Sequence, residues 1–200
     1  MRLGLYGGSF DPIHLGHLIL AEACREGCRL DRVWFVVAGS PPHKPRRLAT
    51  AEHRLEMARL AVAGNPAFEV SDRDTKGDGP HYSYTLVESV AAERPADELF
   101  FLIGADSLAD LPGWRHPERI LQLATLVVVG RPGVESADPA ALAPVLESAG
   151  ASARPIVRVD SPPIGIASRD VRRQISEGRS IRYCVPAAVG AYINAQELYR

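Results

Sequence analysis

The segment Gly7-Gly8-Ser9-Phe10-Asp11-Pro12-Ile13-His14-Leu15-Gly16-His17 gathers the residue types in this chain best suited to chemistry. It follows a short apolar run, Leu3 to Tyr6, and ends where a helical pattern begins at Leu18-Ile19-Leu20-Ala21-Glu22-Ala23. That order predicts a strand, a glycine turn and a helix with two histidines at its start. A glycine pair lets backbone amides approach an anion with no Cβ in the way, and the N-terminus of a helix is its positive end. The chemistry this suits is capture of a polyphosphate and compensation of its charge during transfer. Plainer readings stand beside it. Gly7 and Gly8 would serve equally in a tight turn needing φ > 0, and a lone histidine is more often packed or solvated than functional. The three-glycine spacing of dinucleotide-binding turns is absent, so hydride transfer is not supported. His14 and His17 share one side of a first helical turn, a spacing that also suits zinc, but no third ligand stands nearby.

The elements that must hold these residues are legible as alternating patterns. Short apolar, β-branched runs lie at Leu3–Tyr6, Arg32–Val37, Phe68–Val70, Leu99–Ile103, Leu126–Val129 and Ile156–Val159. Helical patterns separate them at Gly16–Cys28, Ala51–Ala63, Tyr84–Glu93, Pro117–Leu123 and Pro139–Ser148. Continuous apolar strands alternating with helices predict an α/β fold with a doubly wound parallel sheet and ligands beyond the carboxyl ends of its strands. The tail from Ser168 to Arg200 reads as a small helical extension, with Ser168 as N-cap, Gly178 as terminator and Pro186 opening the last helix. The 200 residues read as one domain, with the helical part at about 168–200. The Ala-rich stretch Ser136 to Ala153 reads as a loosely tied excursion.

Composition excludes several classes. Apolar residues make up 46% and charged residues 24%, with a net charge of −1, so no global field favours nucleic acid or an anionic membrane. No apolar run approaches a membrane span and no secretory signal is visible, which makes the cytoplasm the expected location. The 3 cysteines, Cys24, Cys28 and Cys184, are too few for a disulfide scaffold and read as core thiols. A homo-oligomer is allowed but not specified.

Four further stretches carry candidate chemistry. Gly39-Ser40-Pro41-Pro42-His43-Lys44-Pro45-Arg46-Arg47 follows the second strand, and its cations suit a phosphate monoester, although a solvated basic loop has the same composition. Ser83-Tyr84-Thr85 opens a helix, with Ser83 a simple N-cap on the bland reading. Ile103-Gly104-Ala105-Asp106-Ser107 follows an apolar strand, placing an acid where it can accept ribose hydroxyls or merely cap a helix; Trp114, downstream, is equally a core residue. Ile166-Ala167-Ser168-Arg169-Asp170-Val171-Arg172 begins the tail.

Taken together, these stretches resemble the nucleotidyltransferase superfamily, whose core is a His-x-Gly-His turn, and within it the bacterial nicotinate mononucleotide adenylyltransferases, nearly end to end. The resemblance implies a Rossmann-like nucleotidyltransferase fold and transfer of AMP from ATP to nicotinate mononucleotide. It implies catalytic roles for His14, His17 and Lys44. ATP would be held by Gly7, Gly8, Ser9, Phe10, His14, His17, Gly104, Asp106, Ser168, Arg169 and Arg172. The acceptor would be held by His43, Lys44, Thr85, Asp106 and Trp114, the last offering an aromatic face to the pyridine ring. Mg²⁺ would arrive with ATP rather than in a protein cage. The chain departs from the family's Ile-Ser-Ser-Thr-x-x-Arg segment at Ala167 and Arg169, so one hydroxyl is missing and a cation replaces another. Rival readings are a phosphopantetheine or nicotinamide mononucleotide adenylyltransferase, and an ATP sensor without catalysis.

Overall fold

Six parallel strands, β1 (Arg2–Gly8), β2 (Arg32–Val37), β3 (Phe68–Ser71), β4 (Glu98–Gly104), β5 (Ala124–Gly130) and β6 (Ile156–Asp160), form one sheet in the order β3-β2-β1-β4-β5-β6. The computed structural model describes residues 1–39, 49–76, 82–130, 139–162 and 164–200, with the side chains of Asp106 and residues 139–141 also outside the description. Val and Leu dominate β5, whose residues are buried from Ala124 to Val129, as a parallel strand covered on both faces requires.

Alternation along the strands sends side chains into two cores. Tyr6, Phe35, Leu102 and Val127 point to one, which is covered by α1 (Leu15–Gly27), α2 (Ala51–Val62), α7 (Ser168–Ser176) and α8 (Ala187–Ala195). Leu3, Leu5, Phe101 and Leu126 point to the other, beneath α3 (Ser83–Glu93), α4 (Ala105–Asp110), α5 (Pro117–Leu123) and α6 (Pro139–Ala149). The fold is therefore doubly wound, and the chain steps outward in both directions from β1 and β4. Their carboxyl ends make the crevice where such sheets bind ligands.

Several local expectations change. Helix α4 escapes the sequence pattern because six residues offer too short a period to read. Helix α7 is capped by Ala167, not Ser168, and α3 by Tyr82, not Ser83. The Asp106 N-cap reading also fails, because Gly104 occupies that position. Gly178 does end α7: at φ +66 it lets Gly178 N–H reach the Ile175 carbonyl and Arg179 N–H the Gln174 carbonyl, a Schellman closure. The Ala-rich stretch is no loose excursion in its described part, since α6 buries Leu142, Val145 and Ala149 in the second core. Cys24 and Cys28 are buried and Cys184 half-buried, all as free thiols. No helix among the described residues is long and apolar enough to cross a membrane.

Candidate active site

The turn after β1 is built differently from the glycine turn its sequence suggests. Neither Gly7 nor Gly8 has a positive φ; the left-handed residue is Phe10, at φ 46. Gly8 is small for another reason. A Cβ there would stand 3.0 Å from the Phe10 ring, which folds back beneath the strand end and packs on Tyr6, Phe35 and His17. Phe10 is 1% exposed, so its ring belongs to the core and its influence on a ligand runs through the backbone. Among the described residues, a Cβ on Gly7 would meet only the Leu86 Cδ2 of α3, at 4.0 Å, and a Cβ on Gly104 would meet nothing within 4 Å. The ends of β1 and β4 thus leave a cradle that side chains there would fill.

The two histidines stand beside the end of β1, where the His17 ring meets Phe10 at 5.2 Å and Tyr6 at 6.1 Å. His14 is the N-cap of α1 and His17 its third helical residue. Their rings stack with centroids 3.6 Å apart and planes 24° from parallel. Gly16 permits this, because a Cβ there would stand 3.1 Å from the His14 ring. His17 Nδ1 accepts the His14 backbone N–H at 3.2 Å. In the neutral ring that bond places the proton on Nε2 and makes it a fixed donor. The backbone amides are less available than the sequence suggests: His14 N–H serves His17, and Leu15 N–H donates to the Cys184 carbonyl at 3.0 Å. No acidic residue occupies the first turn of α1, so its positive end is not neutralised from within the helix.

Asp11, unremarked for its own chemistry in the sequence, is the hub behind the turn. It is fully buried, and the Asp11–Pro12 peptide is cis. Its Oδ1 accepts Tyr199 Oη–H at 2.7 Å and Ala49 N–H at 3.1 Å. Arg172 Nη1 donates to the Asp11 carbonyl at 2.6 Å and lies 3.5 Å from Asp11 Oδ2. Ser168 Oγ donates to the Pro12 carbonyl at 3.0 Å. Two residues assigned to the triphosphate by resemblance are thus tied first to the turn: the Ser168 hydroxyl hydrogen is committed there, as is one face of Arg172. Ser9 lies in the turn itself, its carbonyl held by Arg54, and Arg169 is the second residue of α7.

Arg54 is the other residue that sequence reasoning missed. At 2% exposed, it donates to four carbonyls, Ala49 at 3.0 Å, Ser9 at 2.9 Å, Ala38 at 2.5 Å and Gly39 at 2.8 Å. One guanidinium therefore clasps the turn after β1, the end of β2 and the entry to α2. Burial pulls its pKa below the ordinary arginine value, and the nearby Asp11 and Tyr199 oppose that pull. A signal existed, for Arg54 shares its helical face with Ala58 and Val62, both buried. A cation at a core position must find partners.

The acceptor candidates assemble separately. Tyr84 of α3 meets the His116 ring edge-on at 4.9 Å, and Arg115 lies over the Tyr82 ring at 5.1 Å while donating to its hydroxyl at 3.3 Å. These contacts bring the start of α3, with Thr85, to the turn that carries Trp114. The Thr85 hydroxyl donates to the Tyr82 carbonyl at 2.7 Å, and Trp114 packs edge-on against Phe101, half-buried. Leu86, next to Thr85, is the residue facing Gly7, which joins this group to the cradle. His43, Lys44, Arg46 and Arg47 lie outside the described residues, as does the Asp106 side chain.

A parallel sheet with its crevice between β1 and β4, and a His-x-Gly-His helix cap beside the end of β1, defines a nucleotidyltransferase. The chain belongs to the cytidylyltransferase-like family, whose model matches residues 5–174, and within it to the nicotinate-nucleotide adenylyltransferases. A Thermus thermophilus protein named probable nicotinate-nucleotide adenylyltransferase is 47% identical over 200 residues, covering all of both chains. A Geobacillus thermodenitrificans protein of the same name is 36% identical, over 99% of this chain and 86% of its own. Among solved structures, the Plasmodium falciparum nicotinic acid mononucleotide adenylyltransferase complexed with NaAD matches with a TM-score of 0.79 at 18% identity, over 99% of this chain and 97% of its own. That likeness concerns the fold.

Proposed function

We propose that this enzyme transfers AMP from ATP to nicotinate mononucleotide, yielding nicotinate adenine dinucleotide and pyrophosphate. The observation that carries the reading is the His14–Gly16–His17 cap beside the end of β1, in a chain whose full-length relatives bear that name. A phosphate oxygen of the acceptor attacks the α-phosphorus of ATP. A new P–O bond forms, the bond to the β-phosphate oxygen breaks, and pyrophosphate leaves. The nucleophile is already an anion, so no general base and no covalent enzyme intermediate are required. The protein's task is positioning and charge compensation.

The roles we assign combine the resemblance with the contacts of the described residues. His17 Nε2–H, fixed by the bond at Nδ1, donates to the phosphates as charge migrates toward the leaving group, and His14 braces its ring. Gly7, Gly8 and Gly104 keep the cradle open to ATP, while Ser9 and Phe10 shape its backbone. Lys44, with His43, is assigned to the acceptor phosphate, and Asp106 to a ribose. Ser168 and Arg172 act by holding the turn, and Arg169 supplies a cation at the start of α7. Thr85 and Trp114 seat the pyridine ring. Among the described residues no group of three His, Cys, Asp or Glu could hold a metal ion. Magnesium enters as part of the substrate, on ATP.

Incubation with Mg·ATP and nicotinate mononucleotide, followed by mass analysis, tests the reading. The expected outcome is one dinucleotide per pyrophosphate released. Binding of ATP without dinucleotide formation would favour the sensor reading instead.

A further inference from the structure

Asp11 and Tyr199, packed behind the ATP turn, were given no part in the transfer just described. Asp11 is fully buried, and such a carboxylate is held only by partners that outweigh its desolvation. The described partners come from three remote segments: Ala49 just before α2, Arg172 on α7, and Tyr199, 188 residues away in sequence. Arg54 adds a second clasp on the same segments through the carbonyls of Ser9 and Ala49. An apolar residue at position 11 would fill the same space but could not join these segments to one another.

Tyr199 is the outermost member and the costliest to place. Its backbone is left-handed at φ 66, as is that of Glu197 at φ 52, and both are unfavourable for residues with side chains. The chain turns back after α8 to deliver the phenol to Asp11. Burial, and after it the Asp11 carboxylate, push the Tyr199 phenol well above its ordinary range, so it stays protonated and donates. Tyr192, on α8 itself, bonds His53 at 2.8 Å instead and makes no described contact with the turn.

We propose that Tyr199 is a positioning residue for ATP, acting through Asp11 to fix the turn from Gly7 to His17 against Ala49 and α7 in one arrangement. The proposal rests on the adenylyltransferase reading for its reaction, but its first readout is ATP affinity, which needs no acceptor. Calorimetric titration of Mg·ATP into wild type, Tyr199→Phe and Tyr192→Phe is the test, with steady-state pyrophosphate release alongside. Tyr199→Phe should weaken ATP binding about tenfold, the scale of losing one hydrogen bond to a buried charge. It should raise KM for ATP in parallel, and by more than it raises KM for the acceptor, whose pyridine-seating residues are on α3 and the Trp114 turn. Tyr192→Phe should bind ATP as wild type does. A merely structural tyrosine would lower the melting temperature or the active fraction without changing ATP affinity, and that result overturns the proposal. Equal losses from both variants overturn it too. If Tyr199→Phe does not fold, Asp11→Asn, which preserves shape and removes the charge at the hub, carries the same comparison. Wild type that binds ATP but forms no dinucleotide defeats the functional reading alone.

Discussion

Replacing Arg54 by methionine keeps an unbranched apolar stem and deletes the guanidinium. The structure sets the size of the effect. Four carbonyls, of Ser9, Ala38, Gly39 and Ala49, lose a charged donor at a site 2% exposed. A hydrogen bond to a charged group contributes roughly 1.5–3 kcal/mol, and a stranded buried carbonyl costs roughly 1–3 kcal/mol. The losses do not add fully, because water can enter beside the loop and methionine stabilises its surroundings by packing. A net loss of about 4 kcal/mol is expected, within the range for breaking one side of a buried charged network. At roughly 3 °C per kcal/mol for a domain of this size, the melting temperature falls by about 12 °C. The assay is guanidinium denaturation with a thermal scan, using Arg59→Met on the same helix as control. Arg59 is more than half exposed and pairs only loosely with Glu56, at 3.6 Å, so its loss should cost under about 0.5 kcal/mol. If Arg54→Met costs no more than Arg59→Met, Arg54 is not the clasp described.

Other consequences concern turnover and pH. His17→Ala should lower kcat on the order of 10²-fold or more with the fold intact, as for loss of one transition-state donor; near-normal turnover by a folded variant would refute the role. Trp114→Ala should raise KM for the mononucleotide far more than for ATP, with about 2 kcal/mol of lost stability from its packing on Phe101; equal rises in both KM values would make Trp114 a core residue only. Burial, and then the neighbouring Cys28, push the Cys24 thiol from 9.0 up to about 12. The unfolded thiol therefore loses its proton first as pH rises, and stability should decline above pH 9 by up to about 1.4 kcal/mol per unit from this group. Cys24→Ala should flatten that decline in denaturation curves taken from pH 8 to 10, and an unchanged slope would contradict it.

The strands were legible because apolar, β-branched runs mark them, most fully in the central β4 and β5, and β2 occupies the span its composition predicts, Arg32–Val37. The site was legible where side-chain type alone signals chemistry, as at His14 and His17. It was not legible where function depends on long-range pairing. Asp11 and Tyr199 stand 188 positions apart, and nothing local to either names the other. The glycine turn was misread for a related reason. Gly8 is required by the Phe10 ring and Gly16 by the His14 ring, both steric facts of the folded turn, while the positive φ falls on a phenylalanine. Ser168 looked like a helix cap, yet its hydroxyl finds the Pro12 carbonyl across the site.

The most direct measurement of the central claim is kcat/KM for pyrophosphate release with Mg·ATP and each of three acceptors: nicotinate mononucleotide, nicotinamide mononucleotide and phosphopantetheine. The highest value is expected with nicotinate mononucleotide, and a loss on the order of 10²-fold or more in His17→Ala with that acceptor. Preferential turnover of phosphopantetheine, or no acceptor-dependent pyrophosphate release at all, would contradict it.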